Sequence, residues 1–340
     1  MDGIQITGKK TLETISKKEL FDSVDSAKIK ITKALFLRED FNTLGGDPRA
    51  VYPIIPARVG IGKVVETCGN EVFGIERGAR VFPHPEIPCG KCSECAKGDK
   101  AHCSSFNIAG KTMDGYLRDF AILPDDAISI LPPNVSDSDA LFLDHVALCD
   151  KVIDSINLQK GEHVVIVGGD ALGIILAQLV IYYQGVPILV DNNDNNIIIA
   201  KNAGVYYTLF ADNKIDNNVS ELTGARLAKK VVYMTGSNLN TDIALKLAGQ
   251  NATVCFAGFG TPSIKVNFNI ALVKQLNFKC VTNGYGNIES AINLLANKAI
   301  DASVFAIPQV KKGAAMEKIK EMSENQDFSA CSGMLVIDVE

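Results

Sequence analysis

Tryptophan is absent from the 340 residues, histidine occurs four times, and no stretch gathers lysine and arginine into a block. Lysine plus arginine number 34 against 39 acids, a formal charge of −5. Gripping a phosphate backbone takes concentrated positive charge, so nucleic acid is excluded as a partner. The first twenty residues, MDGIQITGKKTLETISKKEL, lack the apolar core of a secretory signal. Nine cysteines is an odd count, so a secreted disulfide scaffold is not expected. The thiols read as cytosolic groups or metal ligands, and a cytoplasmic location follows. One charge-free stretch, 171–190, has the length of a membrane span. Gly185 and Pro187 interrupt it and Asp170 and Asp191 bracket it, so it reads as a buried helix followed by a buried strand, with no membrane partner.

With 47% hydrophobic and 21% charged residues the chain can bury a large core, which excludes disorder. At about 150 residues per domain the length suggests two domains. The first 150 residues carry short β-like runs (IQIT, AKIKIT, RVGIGKVVETC, ARVFP, LRDFAIL) separated by turn formers. Beyond them, apolar runs without polar alternation are predicted as strands at 163–169, 186–191, 207–212, 230–236 and 253–260. Helix-length segments fall between them at 171–184, 193–203, 219–228 and 239–249. Strand–helix alternation of this kind marks a parallel sheet covered on both faces. Further helices are expected at 288–297 and 311–322, with a last strand in MLVIDV.

Cys89, Cys92, Cys95 and Cys103 fall within CGKCSECAKGDKAHC. Four soft sulfur ligands on so compact a loop fit a closed, tetrahedral, structural zinc site. Four free thiols on one loop would be an oxidation hazard. His102 reads as a solvated loop residue, and Cys68, Cys149, Cys255, Cys280 and Cys331 as mostly small core residues. The segment YPIIP with Gly62, the turn GARV, this cysteine lobe and MDGYLRDFAILPDDAISILPPNVSDSDA follow one another in order. In that order the chain resembles the zinc-type medium-chain alcohol and polyol dehydrogenases. The resemblance spans nearly the whole chain. It implies an α/β protein: a GroES-like, β-rich catalytic domain (1–147 with 288–340, zinc lobe at 88–103) and an inserted Rossmann parallel-sheet dinucleotide-binding domain (148–287). It also implies a small-molecule substrate and a homo-oligomer, dimer or tetramer.

VVIVGGDALG, with Asp191 ending the next predicted strand, is similar to the dinucleotide fingerprint G-x-G-x-x-G plus a distal acid. Gly168 would make the tight turn and Gly173 would let helix and strand approach. Ala171 and Leu172 would open the helix toward pyrophosphate, and Asp191 would take the ribose hydroxyls, favouring NAD(H). Asp170 stands at the middle glycine. Two unit charges about 4 Å apart at an effective dielectric of about 20 repel by roughly 4 kcal/mol, so Asp170 either turns to solvent or weakens dinucleotide binding.

The resemblance also places catalytic zinc ligands, and here the chain departs. The Cys-Gly-Ser/Thr-Asp motif reads Leu37-Arg38-Glu39-Asp40, Gly-His-Glu reads Ala57-Arg58-Val59, and Asp144 stands at the third position. Leu37 and Arg58 cannot bind zinc, so the catalytic metal is expected to be lost. Arg58 is expected to neutralise Asp144, with Glu39 sharing the pair and standing at the proton-relay position. The alternative leaves Arg58 pointing to solvent. Three readings stay open: an NAD(H)-dependent oxidoreductase acting on a small alcohol or carbonyl without catalytic zinc, a non-catalytic binding or scaffold relative, and a zinc-independent reductase.

Overall fold

The computed structural model describes residues 1–17, 25–68, 74–259, 264–325 and 333–340. The chain divides into two compact units, one built from Met1–Leu141 with the described residues from Ile307 onward, the other from Phe142–Ala306. The second unit is thus wider at both ends than the expected 148–287. Part of the reason is local: the helix at 288–296 packs against the helix that opens the unit.

The first unit begins with strands β1 (Asp2–Gly8), β2 (Thr11–Ser16) and β3 (Ser26–Phe36), helix α1 (Arg38–Leu44), and strands β4 (Val59–Cys68), β5 (Arg80–Pro83) and β6 (Glu86–Ile87). Helix α2 (Ser93–Ala96), strands β7 (Asn107–Ile108), β8 (Phe120–Pro124) and β9 (Ile128–Ile130), and helix α3 (Asp137–Ala140) complete its first pass. The second unit runs α4 (Leu143–Ile156), β10 (His163–Val167), α5 (Ala171–Tyr182), β11 (Val186–Asp191), α6 (Asp194–Asn202), β12 (Tyr207–Phe210) and α7 (Ile215–Leu222). It continues with β13 (Ala228–Met234), α8 (Thr241–Leu247), β14 (Ala248–Ala257), α9 (Phe268–Lys274), β15 (Asn277–Val281) and α10 (Ile288–Ala296). The chain then returns to the first unit as β16 (Gln309–Lys311), α11 (Lys312–Asn325) and β17 (Leu335–Asp338).

In the first unit a seven-stranded sheet runs β16-β17-β3-β4-β5-β9, with β8 also on β3, and every pair except β16–β17 is antiparallel. Alternation in SAKIKITKALF explains β3: Ala27, Ile29 and Ile31 turn inward while Lys28 and Lys30 face out. Lys28 lies opposite Glu66 in the register and pairs with it. The inward side chains join Ile4, Ile6, Phe36, Tyr116, Leu117 and Ile337 in one core.

The second unit is a six-stranded parallel sheet, order β12-β11-β10-β13-β14-β15. Its central strands read as unbroken apolar runs because helices cover both faces, and the order is that of doubly wound dinucleotide-binding sheets. Helix α5 is apolar all round, with 171–180 entirely buried, which accounts for the charge-free stretch. Among the described residues no helix is long and apolar enough to cross a membrane. The scattered cysteines divide: Cys149 and Cys255 are core residues, Cys68 is half-buried, and Cys280 is exposed on edge strand β15, contrary to the core expected of them. Cys331 lies outside the described residues.

Candidate functional site

The four lobe cysteines converge. Their sulfur atoms all lie within 4.8 Å of one another, with Cys92 and Cys103 at 3.9 Å. A tetrahedral zinc with Zn–S of about 2.3 Å spaces its sulfurs by about 3.8 Å, so the cluster fits the ion with a small contraction. Backbone N–H groups of Cys89 and Ser105 point at Cys103 Sγ (3.3 and 3.4 Å), and that of Cys95 points at Cys92 Sγ (3.5 Å). N–H bonds from Cys95 and Ser104 pull the Cys92 thiol down to about 5, while burial and the neighbouring thiols push Cys95 up to about 12. Four thiolates at this separation need a cation among them. His102 turns from the cluster to Asp99, Nδ1 to carboxylate at 2.9 Å, as expected of a loop histidine.

At the carboxyl ends of β10 and β11 stands the glycine turn. Gly168 has φ +109°, and a Cβ there would press on Ser237 and Met234 at 2.9 and 3.0 Å. A Cβ on Gly173 would sit 1.9 Å from the Gly168 carbonyl oxygen, so the close approach of helix and turn requires glycine. Ala171 and Leu172 occupy the first turn of α5, both buried. These features fit the turn of a dinucleotide site. Two carboxylates complicate the fit. Asp170 is the N-cap of α5, its Oδ1 accepting the Gly173 N–H at 3.0 Å, so it turns back on its own helix. Asp191, 5% exposed, accepts from Gly169 N–H (2.5 Å) with one oxygen and from Asn193 N–H (2.7 Å) with the other. The ribose acceptor named from the sequence therefore also ties the turn to β11.

The first unit holds the positions where the resemblance places zinc ligands. Leu37 is buried at the N-cap of α1 and its N–H donates to Asp40 Oδ2 at 2.8 Å; the other Asp40 oxygen accepts the Ala57 N–H, also at 2.8 Å. Asp40 thus ties segment 37–40 to segment 57–59. Ala57 keeps φ +71°, a left-handed conformation that costs a residue with a Cβ about 1–2 kcal/mol. The motif's glycine would take it freely. Arg58 is buried at 6% exposure, which removes the solvent-facing alternative. Its Nη2 donates to Glu86 Oε1 at 2.6 Å, so the guanidinium has a buried carboxylate partner that sequence reasoning did not name. Glu86 sits on two-residue β6, inside PHPEIPC, where no periodic pattern marks it; the one sequence signal is an isolated acid between prolines. Glu39 is half-buried in the first turn of α1. With Arg58 and Glu86 balancing each other, Asp40 is the excess anion, and burial pushes its carboxyl up to about 7. Asp144, expected against Arg58, belongs to the other unit; it is buried in the first turn of α4, beside a His145 packed edge-on to Phe142 and Phe259.

The profile of the alcohol dehydrogenase GroES-like domain matches residues 23–133. An uncharacterized zinc-type alcohol dehydrogenase-like protein of Haemophilus influenzae is 25% identical over 284 residues, 83% of each chain. A sorbitol dehydrogenase of Halalkalibacterium halodurans is 28% identical over 81% of this chain and 82% of its own. An Escherichia coli structure described as a short chain alcohol dehydrogenase complexed with NADH covers 100% of this chain and 99% of that one, with TM-score 0.86 at 18% identity. The β-rich unit with its cysteine lobe, the parallel-sheet unit and relatives matched over most of its length support one likeness: residues 23–133 match the alcohol dehydrogenase GroES-like domain, and the chain is similar to zinc-type alcohol and polyol dehydrogenases.

Proposed function

We propose that the chain is an NAD(H)-linked oxidoreductase acting on a small alcohol, polyol or carbonyl compound, with zinc in the four-cysteine lobe and none at the catalytic positions. It is a cytoplasmic homo-oligomer on this reading. One observation carries the reading: the first unit keeps the family framework, while the ligand positions hold buried Leu37 and an Arg58 paired to Glu86. Hydride exchange is the chemistry that nicotinamide supplies. The chain's own groups do the rest. Arg58 is assigned the stabilisation of charge on a substrate oxygen, a role a guanidinium can fill as a fixed cation and hydrogen-bond donor. It cannot coordinate an alkoxide as a metal does, so reduction of carbonyls is favoured over oxidation of unactivated alcohols. Glu39 is assigned the proton for that oxygen.

A second reading, a non-catalytic relative, is favoured by the Asp170 carboxylate seated on the α5 N-terminus. Turnover separates the two. NADH oxidation, followed by absorbance at millimolar NADH against small aldehydes, ketones and ketoses, should proceed and survive chelation of loosely held metal. Bound NADH with no consumption across the panel would establish the non-catalytic reading.

A further inference from the structure

We infer that Asp170 is a built-in occupant of the pyrophosphate position, an internal anion that must be displaced before a dinucleotide seats. The inference rests on the dinucleotide reading above and concerns how tightly that site can bind. The first-turn N–H groups of a helix have no intrahelical acceptor and carry the positive end of the helix dipole, which is why anions bind there. In this chain the Gly173 N–H is already donated to Asp170 Oδ1 at 3.0 Å. The adjoining Gly169 N–H is donated to the buried Asp191 at 2.5 Å. Two amides of the turn therefore point at carboxylates of the protein. The Asp170 charge is not dissipated in solvent: its residue is half-buried, and after burial itself it is the largest influence raising the Cys149 thiol on neighbouring α4.

Asp170 has φ −69° and ψ −177°, an ordinary N-cap backbone, so no strain holds it there; the hydrogen bond and the dipole do. A pyrophosphate approaching α5 competes with that bond and meets a like charge within a few ångströms. A carboxylate swung away relieves part of the repulsion and gives up the cap. The expected penalty on dinucleotide affinity is about a hundredfold. A neutral cap such as serine keeps the bond to the amide and removes the charge, whereas glycine removes both and is itself a tolerated N-cap.

NADH titrations followed by nucleotide fluorescence on the full-length, zinc-loaded protein test this with Asp170→Gly and Asp170→Ser. Adenosine, which lacks pyrophosphate, serves as the control by calorimetry. The inference expects Kd for NADH to fall about a hundredfold in Asp170→Gly and at least about tenfold in Asp170→Ser, with adenosine affinity unchanged within about twofold. Equal NADH affinity in wild type and both variants overturns the inference and leaves the dinucleotide reading intact. Equal gains for adenosine and NADH overturn it too, because they report a general loosening of the turn. No NADH binding by any of the three proteins overturns the inference and the dinucleotide reading together. Circular dichroism establishes that each variant is folded; should Asp170→Gly not fold, the Kd of Asp170→Ser decides between these outcomes.

Discussion

Replacing Glu86 by glutamine removes the carboxylate that Arg58 meets at 2.6 Å, and leaves a guanidinium in a site where both side chains are about 7% exposed or less. Charge centres about 4 Å apart at an effective dielectric of about 20 attract by roughly 4 kcal/mol. Desolvating the two ions costs several kcal/mol each, so the intact pair adds little net stability while either half alone is strongly unfavourable. Glu86→Gln and Arg58→Met should each lower unfolding free energy by about 3–5 kcal/mol. Arg58→Met should be the worse of the two, because Arg58 also offsets the charge of Asp40. The double variant Arg58→Met/Glu86→Leu should recover most of the loss, leaving about 1–2 kcal/mol and so a coupling of roughly 5–8 kcal/mol in a double-mutant cycle. Urea unfolding monitored by circular dichroism and tyrosine fluorescence reads this out, using the transition of the first unit if the two units unfold separately. A coupling below about 0.5 kcal/mol would refute the claim that these residues form a buried, mutually dependent pair.

The lobe and the carboxyl at Asp40 make two further predictions. Elemental analysis of the purified chain should find about one zinc, lost in Cys92→Ser or Cys95→Ser; two per chain would show that the altered catalytic positions still hold metal. Asp40, pushed up to about 7 by burial, binds a proton more readily folded than unfolded, so stability falls as pH rises from about 4 to about 7. Asp40→Asn should remove that component, and the difference in unfolding free energy between wild type and variant should shift by up to about 4 kcal/mol across the window. A difference that stays flat with pH contradicts the assignment.

How far the fold could be read from sequence depended on the kind of signal each element carries. Strand β11 was legible residue for residue at Val186–Asp191, because an apolar run bounded by glycine and an acid has little else to become. Helix α7 lies at Ile215–Leu222 rather than 219–228: Ile215 and Val219, one turn apart, bury its face, and Thr223-Gly224 ends it, so reading past that glycine misplaced the element. Strand β14 begins at Ala248, before the apolar run, because pairing of Ala248 with Ala228 across a register shift extends it. The cysteine lobe was fully legible, since four ligands close in sequence are close in space. Glu86 was not, since its role is set by an Arg58 distant in sequence and by a β6–β7 pair too short to leave a pattern. Asp170 was legible as a departure but not in its orientation, which follows from a first-turn amide, Gly173 N–H, that has no acceptor within its own helix.

The two departures obey one electrostatic rule. At the positions where the family resemblance puts a metal cation, the chain carries the cation of Arg58 and supplies Glu86 to receive it. At the helix end where a pyrophosphate anion is expected, it carries the anion of Asp170 and gives it the Gly173 amide. In each case the side chain has the sign of the ligand it stands in for, so the local field is compensated with no ligand bound. A site left with its ligand-facing charges unpaired would be destabilised by several kcal/mol, and binding would relieve that cost. Here the compensation is covalently part of the fold, so the ligand-free protein has less to gain from an external ion. On the proposed reading, a charge that compensates the empty site opposes the ligand that would fill it, so weaker binding at both positions is expected from local charge balance rather than from any change in the fold.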